Sequence, residues 1–136
     1  MATLTLEIVT PEGTTLTAKT PRVTLPTASG QLTILPGHQP LLGKTVTGEV
    51  LYTENNTERD FVVDNGFFML QGDKLSLLVE GAVDSAAIDL KAIEEAQARA
   101  QAALQSSERS KMDPAEVEEF ERIVRFTLAQ RLVKKR

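Results

Sequence analysis

The sequence has 136 residues, a formal net charge of −4, one histidine and no cysteine. The length fits one domain, or one small domain with an appendage, and a hydrophobic content of 41% is enough for a core. The lack of cysteine excludes disulfides and thiolate sites, and a single histidine excludes paired-histidine metal motifs, so we expect no metal site. The mild acidity argues against a nucleic-acid partner, and no run approaches the roughly 18 apolar residues of a membrane span.

The composition changes abruptly near residue 87. All eight glycines, five of six prolines and 14 of 15 threonines precede this point, whereas Ala, Glu, Lys, Arg and Leu dominate after it. Glycine, proline and threonine are typical of short strands and their turns, while alanine and long unbranched side chains favour helix. We therefore predict a β domain over residues 1–86 and a helical domain over residues 87–136.

The first domain contains short runs with alternating apolar side chains, separated by Gly, Pro and Asn turns. These runs lie at residues 4–8, 23–25, 32–35, 46–52, 61–63, 67–70 and 75–79. Pro26 is expected to end its strand, and residues 34–42 are expected to form a hydrophobic loop. This pattern predicts an antiparallel β-sandwich of about ten short strands, or a flattened barrel.

Two helices are predicted in the second domain, at about residues 89–106 and 113–135. Asp89 is expected to cap the first helix, whose single apolar stripe is mostly alanine. The stripe consists of Ile93, Ala96, Ala100, Ala103 and Leu104. Because this stripe is thin, the two helices are expected to pack as an antiparallel hairpin that docks on the sandwich, on a partner, or on each in turn.

The second helix begins at a capping-box pattern, with Asp113 as the cap, Pro114 at the first position and Glu116 at the third. One face is expected to be apolar; its members are Val117, Phe120, Val124 and Leu128. Residues 113–121 hold five acids and no base. The bases lie further along: Arg122, Arg125, Arg131, Lys134, Lys135 and Arg136.

Two explanations of this charge asymmetry stay open. Acids at the start of a helix and bases at its end complement the helix dipole. That effect is confined to the last turn and leaves Arg122 and Arg125 unexplained. The basic half is therefore also a candidate for docking on an acidic partner.

Residues 37–45 resemble a phosphate-binding loop because they end in Gly43-Lys44-Thr45. Five residues separate the two glycines instead of four, Pro40 removes a donor N–H, and the following residues predict a strand instead of a helix. We therefore interpret the segment as a surface loop. His38 has no nucleophile motif beside it, and the adjacent glutamates of the helices point in different directions. We expect no catalytic site in this chain.

A longer motif spans residues 25–42, with the pattern LPxxxGQLxILPGHxPLL. Further along are the segments Gly48-Glu49-Val50, Phe61-Val62-Val63-x-x-Gly66-Phe67 and Ile88-Asp89. In order and spacing, essentially the whole chain resembles the epsilon subunit of F-type ATP synthases. The chain departs from the family at Thr33, where a second glycine is common, and at Gln31, where many members carry glutamate.

The resemblance implies a ten-stranded sandwich, two helices and a place in the central stalk of a proton-translocating rotary ATP synthase. It implies contact with the gamma subunit and the c-ring, for which the candidate residues are Gln31, His38, Leu41 and Leu42. It also implies a hairpin that alternates between folded and extended states. When extended, its basic helix approaches acidic segments of the beta subunits, within the alpha and beta assembly, and blocks ATP hydrolysis. The candidate residues are Arg122, Arg125, Arg131, Lys134 and Lys135.

Some family members bind regulatory ATP between the folded helices through an Ile-Asp-x-x-Arg-Ala motif. This chain keeps Ile88 and Asp89 but has Ala92 and Ile93 in place of Arg-Ala. A degenerate site would consist of Ile88, Asp89, Arg99 and Arg122. Loss of one charge-assisted bond to phosphate weakens binding about tenfold to a hundredfold. We therefore expect weak or absent ATP binding, and no cofactor.

The family resemblance and the lack of a signal or transit peptide predict a peripheral protein on the cytoplasmic face of a bacterial plasma membrane, with a thylakoid membrane as the alternative. A different class of function stays open, namely a stand-alone β-sandwich adaptor with a helical tether that binds one protein statically. A third hypothesis, a small nucleotide-binding enzyme, rests only on Gly43-Lys44-Thr45.

Overall fold

The computed structural model describes residues 2–106 and 108–135. The chain forms two compact units, Met1–Asp84 and Ser85–Arg136. Within the described residues, the first unit has ten strands in two five-stranded sheets and the second has two α-helices. The predicted fold class, a β-sandwich followed by a helical hairpin, is confirmed. The chain divides slightly before the predicted boundary, because the 3-10 turn Ser85–Ala87 packs against the helices.

Most turns between the strands contain glycine, proline or asparagine, as expected from the composition. The strands are β1 (Leu4–Thr10), β2 (Gly13–Thr20), β3 (Val23–Thr27), β4 (Gly30–Ile34), β5 (Leu41–Thr45), β6 (Gly48–Glu54), β7 (Thr57–Val63), β8 (Gly66–Gln71), β9 (Lys74–Val79) and β10 (Ala82–Asp84). The α-helices are α1 (Leu90–Gln105) and α2 (Pro114–Lys134), with a second 3-10 turn, Arg109–Lys111, between them.

The first sheet has the strand order β2-β1-β9-β8-β5, and the second has the order β10-β7-β6-β3-β4. The strand pairs are antiparallel except for β1 and β9, which run parallel with Thr5 opposite Lys74 and Val9 opposite Leu78. The predicted antiparallel sandwich therefore contains one parallel pair. Its two strands are far apart in sequence, and neither carries a local pattern that sets its direction relative to the other.

Proline 26 does not end its strand, contrary to the prediction. β6 pairs with β3 only at Val23 and Thr24, so no bond to β6 requires an N–H from Pro26. The carbonyl of Pro26 accepts hydrogen bonds from the Thr45 hydroxyl at 2.7 Å and the Val46 N–H at 3.1 Å. The proline therefore helps to join the two sheets.

The predicted hydrophobic loop is shorter than expected. It extends only from residue 35 to residue 40, since Leu41 and Leu42 begin β5. Gly43-Lys44-Thr45, interpreted as a surface loop, is the second half of that strand and pairs with β8. The sequence did not predict β2 as a strand of its own, because only Leu16 and Ala18 of its inward-facing side chains are apolar and threonines surround them.

The core lies between the two sheets and belongs entirely to the first unit. Its buried members come from every strand except β5 and β10. Among its fully buried side chains are Leu6, Leu25, Leu75 and Leu77. The Tyr52 and Phe61 rings lie 6.3 Å apart within the core, and burial raises the pKa of the Tyr52 hydroxyl.

Each helix of the second unit has an aspartate N-cap, as the sequence indicates. The Asp89 carboxylate accepts from the Ala92 N–H at 3.2 Å, and the Asp113 carboxylate accepts from the Ala115 N–H at 3.0 Å. The predicted apolar face of α2 is wrong at Leu128, whose side chain is 40% exposed. The buried side chains of α2 are instead Thr127 and Gln130, because the contact surface drifts around the helix along its length.

Neither of the two α-helices, over the described residues, has the length and apolar character needed to cross a membrane. The same part of the chain contains no group of three or more acidic or histidine side chains placed to hold a metal ion.

Candidate interaction surfaces

The chain crosses from one sheet to the other through residues 35–40. The His38 N–H donates to the Leu35 carbonyl at 3.2 Å, which closes a turn around Gly37. Gly37 has a φ of +83°, a conformation that favours glycine. Its N–H donates to the Asp73 carboxylate, in the turn between β8 and β9, at 3.3 Å. We call residues 35–40 the crossover loop. A side chain of the first sheet therefore helps to fix the conformation of this loop.

Three of the four predicted contact residues meet at the crossover loop. The exposed His38 lies within it, and the 72% exposed Leu42 follows it, whereas the half-buried Leu41 between them packs against the core of the sandwich. The His38 Nδ1 lies 2.8 Å from the carbonyl oxygen of Gln39. Gln31 is exposed near the start of β4, about 10 Å along that strand from the loop. The structure therefore separates Gln31 from the other three.

A second surface extends from Leu42 across the outer side of the first sheet. Leu42 lies opposite Met69, and Phe67 lies opposite Leu78. Phe67 and Leu78 are 54% and 48% exposed, and Met69 is 39% exposed. These four residues form an apolar face. Exposed apolar side chains in one cluster are typical of a protein interface.

The apolar face continues into a groove of about 660 Å³ whose lining includes Val9, Pro11 and Val46 as well as Phe67 and Leu78. Sequence reasoning missed the apolar face and the groove, although a signal was present. Successive residues of β8 are apolar, so that strand has no polar side. In an antiparallel sheet such a strand indicates that both surfaces are covered, the outer one by something beyond its own sandwich.

The five bases predicted to form an inhibitory surface lie along α2, and most have partners inside the helical unit. Arg122 forms two bonds to the Glu119 carboxylate, at 2.8 and 3.1 Å. Arg131 donates to the Gln97 amide oxygen at 2.9 Å. Lys134 donates to the Ser85 carbonyl at 3.5 Å, Lys135 lies 3.6 Å from the Glu94 carboxylate, and Arg125 is half-buried.

The contact with Glu119 gives Arg122 a role within its own helix that the charge pattern alone did not reveal. An ion pair three residues apart supports an isolated helix by a few tenths of a kcal/mol, about 0.2–0.5. Arg136, the last base of the pattern, lies outside the described residues. The folded hairpin therefore already uses much of the positive charge that an acidic partner would need.

The four residues of the predicted ATP site do not meet in this hairpin. Ile88 is 6% exposed, and Asp89 caps α1. The exposed Arg99 lies ten residues further, about 15 Å along the helix. Because Arg131 is level with Gln97 and the helices are antiparallel, Arg122 lies near the other end of α1, about 25 Å from Asp89.

We expect isothermal titration calorimetry of the full chain with Mg-ATP to show no binding tighter than about millimolar. Asp89 and Arg122 are too far apart to hold one nucleotide phosphate group, and Arg122 is paired with Glu119. A variant with Ala92→Arg and Ile93→Ala restores the family motif and serves as the comparison. A micromolar dissociation constant for the natural chain would contradict this expectation.

Comparison with known proteins gives consistent matches. The family described as "ATP synthase, Delta/Epsilon chain, beta-sandwich domain" matches residues 3–85. The ATP synthase epsilon chain of Solibacter usitatus is 35% identical over 83% of this chain and 79% of its own length. The epsilon chain of Desulfitobacterium hafniense is 30% identical over 94% of this chain and 97% of its own length.

Solved structures agree at the level of the fold. A chain of the Euglena gracilis mitochondrial ATP synthase, in an assembly of OSCP, F1 and c-ring, has a TM-score of 0.74 at 19% identity. That match covers 98% of this chain and 82% of the other. A chain of the Tetrahymena thermophila central stalk and c-ring has a TM-score of 0.55 at 14% identity, covering 94% and 96%.

The described residues combine a ten-stranded sandwich, a helical hairpin and exposed apolar surfaces of the kind found in subunits of protein assemblies. The chain belongs to the ATP synthase delta/epsilon chain family, as an epsilon-type, non-catalytic subunit of that complex.

Proposed function

We propose that this protein is a central-stalk subunit of a rotary, proton-translocating ATP synthase, peripheral on the cytoplasmic face of a bacterial membrane. It couples the c-ring to the gamma subunit and inhibits ATP hydrolysis through its helices. The observation that carries the proposal is the apolar surface that runs from the crossover loop across the first sheet. A sandwich with its own complete core does not need these side chains for stability.

The two parts of this surface suit two partners. The crossover loop with His38, together with Leu41 and Leu42 at the start of β5, is the proposed c-ring contact. The rest of the apolar face, Phe67, Met69 and Leu78, lies with the groove on the side of the first sheet, and this is the proposed gamma contact. Contact at both sites would make the sandwich a mechanical link between the two partners.

Inhibition is assigned to α2 and its five bases, acting on acidic segments of the beta subunits in the alpha and beta assembly. α2 carries apolar side chains around most of its circumference, and Leu128 and Leu132 are 40% and 65% exposed. A helix of this kind is typical of one that has more than one packing partner. Long-range attraction between its bases and an acidic segment weakens as salt is added.

We expect Leu42→Glu to lower ATP-driven proton pumping by about tenfold in vesicles containing the assembled synthase. Placing a carboxylate in an apolar contact weakens binding at that contact by more than about 1.4 kcal/mol, which is a factor of ten in affinity. ATP hydrolysis by the same vesicles is expected to continue, because the catalytic subunits are untouched. Pumping and hydrolysis are measured together, by a pH-sensitive dye and by phosphate release.

The matched control is Thr17→Glu, an exposed position on β2 at the opposite edge of the same sheet. This variant adds the same charge and is expected to leave pumping unchanged. Equal pumping by the Leu42 variant and the control would remove the crossover loop from the coupling contact.

A further inference from the structure

The buried side chains of α1 and α2 are small or polar. Over the described residues they are Gln97, Ala100, Thr127 and Gln130, between 2% and 8% exposed. The hydroxyl of Thr127 donates to the Ile123 carbonyl of its own helix at 2.6 Å, so it does not hold the helices together. With so few apolar groups buried, individual polar contacts decide how firmly the hairpin is closed.

One contact across the hairpin is short and shielded from water. The Arg131 guanidinium donates to the Gln97 side-chain oxygen at 2.9 Å, and Gln97 is 6% exposed. By contrast, Lys135 and Glu94 are 3.6 Å apart with side chains 55% and 45% exposed. Exposed ion pairs contribute little, whereas hydrogen bonds to a charged group in a shielded place are strong.

We infer that Gln97 is a latch that keeps the hairpin closed by holding Arg131. The hydrogen bond holds the half-buried guanidinium of Arg131 against α1, so the arginine has to leave Gln97 before its charged group can turn toward a carboxylate of another subunit. Closing the hairpin therefore withdraws Arg131 from any acidic partner, and Gln97 sets the fraction of chains in which Arg131 is available. Both residues of the latch belong to this chain, so the latch needs no partner subunit. Only its effect on ATP hydrolysis rests on the proposed function.

The latch predicts that a substitution at Gln97 strengthens inhibition of ATP hydrolysis. Loss of a hydrogen bond to a charged group shifts an equilibrium about tenfold to a hundredfold. Gln97→Leu is expected to raise the open fraction by that factor, since leucine keeps most of the volume and the helix propensity but offers no acceptor. Damage to an ordinary structural residue lowers activity, whereas this substitution is expected to strengthen inhibition, because all five bases are retained.

The opening is measured through a single thiol, because the natural chain has no cysteine. Thr127→Cys places the thiol at a 7% exposed position with nearly unchanged shape, one helical turn from Arg131 on the same face. The rate at which a small reagent modifies this thiol is proportional to the open fraction, even when that fraction is very small. The reference is full-length Thr127→Cys, and the matched control adds Gln101→Leu, at an exposed position one turn after Gln97.

Modification at least about tenfold faster with Gln97→Leu, and unchanged with Gln101→Leu, is the expected result. An unchanged rate with Gln97→Leu, or equal acceleration by both substitutions, overturns the latch. Far-UV circular dichroism checks that the helices stay intact. Hydrolysis by the assembled complex separates the two proposals: faster modification without stronger inhibition supports the latch and contradicts the inhibitory function.

Discussion

Removal of residues 85–136 is expected to abolish inhibition of ATP hydrolysis while the remaining sandwich still binds the complex. The core cluster of buried side chains lies entirely within the first unit, so residues 1–84 are expected to fold without the helices. The proposed gamma and c-ring contacts are also retained. The test is hydrolysis by a related alpha-beta-gamma core titrated with the full chain or with residues 1–84, and binding affinities are expected to agree within about threefold.

A full-length variant with glutamine at Arg122, Arg125 and Arg131 is the companion to the truncation. It keeps both helices but lacks three of the five bases, and we expect it to bind with little inhibition even though loss of Arg131 also removes the contact with Gln97. If the truncated chain inhibits hydrolysis as strongly as the full chain does, the inhibitory surface lies in the sandwich and not in the helices. If neither form binds a core from the same organism, the stand-alone adaptor becomes the better hypothesis.

Gly66→Ala is expected to destabilise the sandwich by about 3 kcal/mol or more. A Cβ at this position would overlap the Leu78 carbonyl oxygen and lie 2.7 Å from the Val79 Cα, both of them backbone atoms of β9. Backbone cannot rotate away as a side chain can, so relief requires β8 and β9 to separate. Urea unfolding followed by circular dichroism gives the change in free energy.

Gly43→Ala is the matched control. Its added Cβ would also lie 2.7 Å from its nearest neighbours, but these are atoms at the far end of the buried Phe68 ring, which can give way by a small side-chain rotation without moving the backbone. We expect a loss of about 1–2 kcal/mol for this variant. Equal losses for the two glycines would show that the close approach of β8 and β9 is not a special constraint.

Much of the fold could be predicted because its determinants are local. Helix caps such as Asp89 and Asp113 act within a few residues, and alternating side chains reveal a strand with one buried face. The parallel pairing of β1 with β9 could not be predicted in this way, since it joins segments from opposite ends of the unit. Pro26 within β3 was also missed, because its tolerance depends on where β6 stops pairing.

The candidate site was only partly predictable for a similar reason. His38, Leu41 and Leu42 are close in sequence, at or next to one loop, whereas the partners of Arg131, Lys134 and Lys135 are far away in sequence. Arg131 contacts Gln97 across the hairpin, 34 residues away, and that pairing depends on the register of the two helices. Charge counts along a helix show where bases are, but not which of them are already used.

The parallel pairing of β1 with β9 also bears on how the chain folds during synthesis. Thr5 pairs with Lys74, 69 positions later, so β1 leaves the ribosome long before this partner. In the interval β1 has only β2 beside it, while β3, β4, β6 and β7 can already pair with one another. Pairing between such distant segments slows folding, and an open strand edge invites aggregation. β8 and β9, which are made late, therefore complete the first sheet, and the nascent chain is most vulnerable just before they appear.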